Sequence, residues 1–122
     1  MQAERFSIRK RANSFSYAVD GIMRFLKSEH NAWVHLAATV GVIGMVLMYR
    51  VSTVEAVLLV FSIGFVWVAE IFNTCIERIM DFISKERHPQ IQLIKDMSAG
   101  AVLVAAITAL IIGLVVFIPK IF

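Results

Sequence analysis

The sequence contains a single cysteine, Cys75. One cysteine cannot form an intramolecular disulfide, and it cannot build a zinc site from cysteines alone. The simplest interpretation of Cys75 is a small residue of helix packing. The histidines His30, His35 and His88 do not have the spacing of a metal site. The sequence also lacks both G-x-x-x-x-G-K-[ST] and G-x-G-x-x-G, which excludes the two common loops that cradle phosphate.

The first 30 residues contain no continuous apolar run, so we expect no cleavable signal peptide. Beyond them apolar residues are abundant.

The chain is 59% hydrophobic with a mean hydropathy of +0.78, which is too apolar for an ordinary soluble domain. The length of 122 residues predicts one domain. The net charge of +3 favours orientation in a membrane over nucleic-acid binding, because the basic residues flank apolar segments.

Three segments approach the length of about 20 residues that crosses the hydrocarbon of a bilayer. We predict spans at 32–50, at 54–83 with a cytoplasmic extension, and at 89–118. Pro89 suits the first turn of the third helix. The predicted fold is therefore an all-α membrane protein with three transmembrane helices, preceded by an amphipathic surface helix at 1–28.

The surface helix is predicted from apolar residues that recur at three- and four-residue steps, with basic residues mostly off that stripe. Packing against another soluble helix is the alternative, which the neighbouring spans make less favourable. The stripe consists of Ile8, Ala12, Phe15, Val19, Ile22, Met23 and Leu26.

The distribution of basic residues predicts the orientation. Ten of the twelve precede the first span or flank the loop between the second and third, and only Arg50 and Lys120 fall on the other side. Because positive charge is retained in the cytoplasm, we expect the N-terminus inside and the C-terminus outside.

The third span carries small residues at four-residue steps: Ala101, Ala105, Ala109 and Gly113. Such a flat face allows another backbone to approach closely, within a subunit or between subunits. Three spans enclose little interior of their own, which favours a homo-oligomer.

Polar residues form a stripe in the second span. At 100° per residue, Glu70, Asn73, Glu77 and Asp81 fall within about 80° of arc, and Glu70 and Glu77 are about 10 Å apart along the axis. Solvated charges beyond the helix end would explain Asp81 better than Glu70, which follows a long apolar run and precedes more apolar residues. A carboxylate at that depth is costly and marks a functional site by default.

Further polar residues fall at the same predicted level. Oxygen ligands suit hard divalent cations, and Mg²⁺ typically binds one or two carboxylates together with substrate phosphates. A deeper carboxylate could act as a general base. The pattern fits phosphoryl transfer from ATP to an alcohol in the membrane, although a small transporter subunit or a membrane scaffold would fit nearly as well. The additional residues are Ser28, Glu29, Asn31, Lys95 and Asp96.

The segment "AEIFNTCIERIMD" resembles the E-x-x-N-[ST]-x-I-E-x-x-x-D signature of the bacterial diacylglycerol kinase family, which includes undecaprenol kinases. "KDMSAGAVL" resembles the family's block at the third span, and "SEHN" resembles the block before the first. The order and spacing of the three agree, and the resemblance covers 17–118.

The resemblance implies a homotrimeric lipid kinase of the bacterial inner membrane that uses magnesium and ATP. It implies that Glu70 takes the proton from the lipid hydroxyl, that Asn73 supports the reacting groups, and that Glu29 and Glu77 hold magnesium. Asp81 lies at the cytoplasmic end of the same stripe. The residues expected around the nucleotide are Tyr17, Glu86, His88, Lys95 and Asp96, with Lys95 as a counter-charge to phosphate.

The acceptor lipid is predicted less directly. "EHN" with His35, and the ending "GLVVFIPKIF", are more similar to undecaprenol kinases than to diacylglycerol kinases. Lys10 and Ala99 depart from some family members, and these departures affect expected lipid contacts more than chemistry. We therefore expect undecaprenol as the acceptor, with diacylglycerol as the alternative.

Overall fold

The structure is a computed structural model that describes residues 5–122. The described chain is helical, with short connections and no strand within 5–122. Its helices are α1 (Ile8–Ser28), α2 (His30–Met48), α3 (Thr53–Ile83) and α4 (Pro89–Ile121). Helices α2, α3 and α4 are each long and apolar enough to cross a membrane, as expected from the sequence.

Helix α1 begins later than the predicted surface helix. The side chain of Ser7 caps it by accepting a hydrogen bond from the Lys10 backbone N–H at 3.4 Å. Residues 5–7 therefore precede the helix, and 1–4 lie outside the described residues. Contact of α1 with a membrane surface stays a prediction.

The ends of the other helices differ from the predicted spans by at most three residues. Helix α2 starts at His30, two residues before the predicted span, and it ends at Met48 instead of residue 50. Helix α4 starts at Pro89 as expected but continues through Pro119, where the Phe122 N–H closes the last turn on the Ile118 carbonyl at 3.1 Å.

Helix α3 starts one residue before the predicted span, because a capping box fixes its first turn. The Ser52 side chain accepts the Glu55 N–H at 3.1 Å, and the Glu55 carboxylate accepts the Ser52 N–H at 2.9 Å. Lys120, near the end of α4, forms an ion pair with the same carboxylate at 3.0 Å. This contact joins the start of α3 to the end of α4.

The chain forms two compact units, one ending at Trp33 and the other starting at Val34. In the second unit α3 and α4 pack along each other. A small core of Leu59, Val116 and Phe117 lies near the Lys120 end, and side chains of α2 and the following turn pack against it. These side chains include Val42, Met45, Val46, Tyr49 and Val51.

Part of the small-residue stripe on α4 packs inside the second unit. Ala105 is fully buried, whereas Ala109 and Gly113 line a cavity together with residues of α2 and α3. Ala101 is exposed. Close helix packing therefore occurs within the subunit, and the number of subunits stays a prediction.

Candidate functional site

Glu70 is a charged residue in the largely apolar helix α3, and it is buried, with 7% of its surface exposed. A buried carboxylate must have a hydrogen-bonding partner to offset its lost hydration. That partner is His35 of α2, whose Nε2 lies 2.5 Å from Glu70 Oε1. With Glu70 ionised, Nε2 is the donor of this hydrogen bond, because an ionised carboxylate only accepts.

The imidazole of His35 is held by its neighbours on two helices. The ring of Trp67, one turn before Glu70 on α3, meets it edge-on with centroids 6.4 Å apart. Trp67 Nε1 donates to Thr39 Oγ1 at 2.9 Å, and Thr39 donates to the His35 carbonyl at 2.7 Å. Trp67 therefore contacts the neighbouring helix α2.

Asn73 lies one turn beyond Glu70 and contacts α4. The hydroxyl of Ser98 donates to Asn73 Oδ1 at 2.8 Å, and Ser98 is 7% exposed. This is a direct polar contact between α3 and α4, in the part of the helix pair that carries the acidic stripe. It fixes the side-chain amide of Asn73 with respect to both helices.

Asp81 and Lys95 form the next contact along the stripe. Lys95 Nζ donates to Asp81 Oδ1 at 2.6 Å, and both side chains are accessible, 29% for Lys95 and 54% for Asp81. Asp96 accepts a hydrogen bond from Gln92 at 2.8 Å on its own helix. The basic and acidic residues predicted near the nucleotide are thus already paired at an accessible surface.

Glu86 and His88 lie in the connection between α3 and α4. His88 caps α4, because its Nδ1 accepts the Gln90 N–H at 3.1 Å. Both residues line an open cavity of about 380 Å³ whose other walls include Met80 and Ile91. This cavity brings polar and apolar groups together beside the start of α4.

The remaining predicted site residues are divided between the two compact units. Glu77 is half-buried on α3. Tyr17 and Lys10 are exposed on α1, and Glu29 follows α1 in the first unit. The joint role of Glu29 and Glu77 at one metal ion stays a prediction.

Magnesium fits the donors of the site only as an ion shared with a nucleotide. Within residues 5–122 no three side chains of His, Cys, Asp or Glu lie close enough to hold a metal ion by themselves. Mg²⁺ bound to a triphosphate needs only one or two protein carboxylates, because phosphate oxygens and waters complete its shell. The half-buried carboxylate of Glu77 is chemically suited to that role.

A cavity of about 190 Å³ lies next to the Glu70 turn, among α2, α3 and α4. His35, Thr39 and Trp67 form its polar part, and most of the remaining wall is apolar. Thr39 and Ser62, which also lines the cavity, donate their hydroxyl protons to backbone carbonyls of their own helices. The wall is therefore compatible with an apolar occupant.

Sequence reasoning missed His35 as the partner of Glu70 and Ser98 as the partner of Asn73. One signal was available for the first. His35 and Thr39 are polar residues four positions apart in an apolar span, so they share a helix face that must meet polar groups elsewhere. Ser98 carried no comparable signal, because it begins a segment rich in small residues.

Comparison with known proteins was consistent with these features. Residues 16–117 match the model of a family described as prokaryotic diacylglycerol kinase. An undecaprenol kinase of Bacillus subtilis (strain 168) is 36% identical over 107 residues, which cover 88% of this chain and 87% of that protein. A diacylglycerol kinase of Synechocystis sp. is 30% identical over 107 residues, 61% of its length. The diacylglycerol kinase of Escherichia coli (strain K12) is 41% identical over 61 residues, half of each chain.

The contact between Ser98 and Asn73 predicts a measurable contribution to stability. Ser98→Ala removes the donor and leaves the oxygen of half-buried Asn73 without this partner, so we expect a loss of about 1 kcal/mol. Thermal unfolding in detergent micelles measures it. Thr108→Ala is the matched control, because exposed Thr108 bonds only to the Val104 carbonyl of its own helix. Equal melting temperatures for the two variants would contradict a stabilising interhelical bond.

Proposed function

The chain belongs to the prokaryotic diacylglycerol kinase family and is a lipid kinase, and we propose that it transfers the γ-phosphate of ATP to undecaprenol. The observation that carries the proposal is the buried carboxylate of Glu70 in an apolar helix, where a soluble substrate would be excluded and a lipid hydroxyl would not. The relative named undecaprenol kinase supports the choice of acceptor, because it aligns over most of both chains. Diacylglycerol is the alternative acceptor.

In this mechanism Glu70 accepts the proton of the lipid hydroxyl while the hydroxyl oxygen attacks the γ-phosphorus. The bond from the γ-phosphorus to the bridging oxygen breaks, and ADP leaves. Asn73, one turn away, orients the reacting groups through its side-chain amide. Phosphoryl transfer of this kind depends mainly on positioning and charge stabilisation, which a buried and hydrogen-bonded carboxylate can supply.

Magnesium would be held by Glu29 and Glu77, and it would neutralise charge on the β- and γ-phosphates when bound. Lys95 would exchange Asp81 for a phosphate oxygen. Its accessible ion pair supports this, because a pair at a surface contributes little net stability and is readily replaced.

The remaining nucleotide contacts are assigned by position in the family motif. The cavity at the start of α4, with polar walls from Glu86 and His88 and apolar walls from α3 and α4, is suited to a base and ribose. The full set proposed around the nucleotide is Tyr17, Glu86, His88, Lys95 and Asp96.

The enzyme is proposed to work at the cytoplasmic face of the inner membrane, as a homotrimer with its N-terminus inside and its C-terminus outside. This orientation puts Glu86, His88 and Lys95 on the side where ATP is present. The α1 helix would lie on the same face, where Lys10 would contact lipid headgroups.

The proposed acceptor is tested with purified protein in mixed micelles. We expect magnesium-dependent transfer of ³²P from ATP to undecaprenol, with a higher kcat/KM than for diacylglycerol presented at the same mole fraction. A preference for diacylglycerol would establish the alternative. Folded protein that phosphorylates neither lipid would contradict both.

The proposed orientation is tested by cysteine labelling in a Cys75→Ser background. Phe122→Cys should react with a membrane-impermeant maleimide in intact cells, because the end of α4 is expected outside. Lys85→Cys should react only after the cells are lysed. The opposite pattern would place the nucleotide residues on the wrong side for ATP.

The roles of Glu70 and Glu77 are separable by kinetics and nucleotide binding. Glu70→Gln should lower kcat by about 10²–10⁴-fold, the usual value of a positioned base, with binding of Mg–ATP close to that of the parent protein. Glu77→Gln should lower both activity and affinity for Mg–ATP, because it removes a metal ligand. Rates and calorimetric titrations of both variants measure this difference.

Asp20→Asn is the control for a change of charge, because Asp20 is exposed on α1 and has no part in the mechanism. The Glu70→Gln variant should remain folded, since its amide oxygen can still accept the hydrogen bond from His35. Loss of Mg–ATP binding in Glu70→Gln with retention in Glu77→Gln would reverse the assigned roles.

A further inference from the structure

We infer that His35 is a positioning residue that holds the carboxylate of Glu70 in the geometry required for proton transfer. The inference rests on the proposed role of Glu70 as the base. It starts from one contact, the hydrogen bond from His35 Nε2 to Glu70 Oε1 at 2.5 Å, which joins α2 to α3 across 35 residues of sequence.

The bond occupies one oxygen of the carboxylate. Among the residues that the structure describes, His35 is the one side chain that hydrogen-bonds to Glu70. An ionised carboxylate has two oxygens and several lone pairs, so Oε2 is left to accept a hydroxyl proton from the acceptor. His35 thereby fixes the rotation of the carboxylate without blocking the oxygen that reacts.

The imidazole itself is restrained, which a positioning residue requires. It is 22% exposed, and its edge-on contact with Trp67 limits rotation of the ring. Trp67 donates a hydrogen bond to the Thr39 hydroxyl on α2, and that hydroxyl donates to the His35 carbonyl. These contacts run from α2 to α3 and back, so the donor and the carboxylate are held by the same pair of helices.

The apolar environment of Glu70 makes the hydrogen bond from His35 important for its orientation. Glu70 lies in a largely apolar helix, next to a cavity that His35 and Trp67 help to line. In such surroundings a carboxylate that loses its donor turns towards any other polar group or water within reach. A base displaced from its working position in this way loses rate and leaves nucleotide binding unchanged, because His35 is not among the residues proposed to contact Mg–ATP.

Two amide variants separate positioning from packing. The amide nitrogen of glutamine can reach the place of His Nε2, whereas that of asparagine is one methylene shorter and corresponds to Nδ1. His35→Gln should keep kcat within about threefold of the parent protein. His35→Asn should lower kcat roughly tenfold to a hundredfold, the range expected for a lost hydrogen bond to a charged group. The KM for Mg–ATP should be unchanged in both.

A double-mutant cycle with Glu70→Gln supplies the second test. If His35 acts through the carboxylate, His35→Asn should have little further effect on the residual rate of Glu70→Gln, so that the two losses are not additive. Thermal unfolding of all variants checks that they are folded. Activity of His35→Gln as low as that of His35→Asn, or fully additive losses in the cycle, would overturn the inference.

These outcomes are distinct from failure of the proposed function. If the parent protein phosphorylates diacylglycerol instead of undecaprenol, the same variants are compared with that lipid. If Glu70→Gln retains the parent rate, Glu70 is not the base and the proposed mechanism fails. If Glu70→Gln is impaired and the His35 variants behave alike, only the positioning role fails.

Discussion

The arrangement of the second unit depends on the cost of placing a carboxylate among apolar helices. Transfer of a charged side chain to the middle of a membrane helix costs about 2.5–3.5 kcal/mol on insertion scales. Glu70 is therefore tolerated only with a donor, and the donor comes from another helix. The same requirement explains why Asn73 is paired with Ser98 across α3 and α4. The polar contacts that make the buried groups acceptable are also the contacts that orient the helices.

In the second unit the apolar core and the polar contacts lie at separate levels. The apolar core of Leu59, Val116 and Phe117 lies towards the Lys120 end, where the ion pair with Glu55 closes the helix pair. The hydrogen bonds of Glu70 and Asn73 lie further from the Lys120 end of the helices. The accessible ion pair of Lys95 and Asp81 can exchange partners when substrate arrives, whereas a densely packed core cannot.

Much of this could be predicted from the sequence, because length and hydropathy identify membrane helices and helical spacing puts Glu70 and Asn73 near one face. The ends of the helices were less predictable, since they depend on local bonds such as the one by which Phe122 continues α4 past Pro119. The partners were the least predictable. His35 meets Glu70 and Ser98 meets Asn73 only after separate helices have packed, and spacing along one helix contains no information about the register of the next.

The small apolar core of the second unit has a consequence for sequence variation. Side chains such as Leu47, Val60 and Phe61 face outward, with 83%, 71% and 72% of their surface exposed. Where such a side chain meets acyl chains, its neighbours have no fixed shape, so selection can act on its apolarity but hardly on its identity. We therefore expect such positions to tolerate exchange among Leu, Ile, Val and Phe.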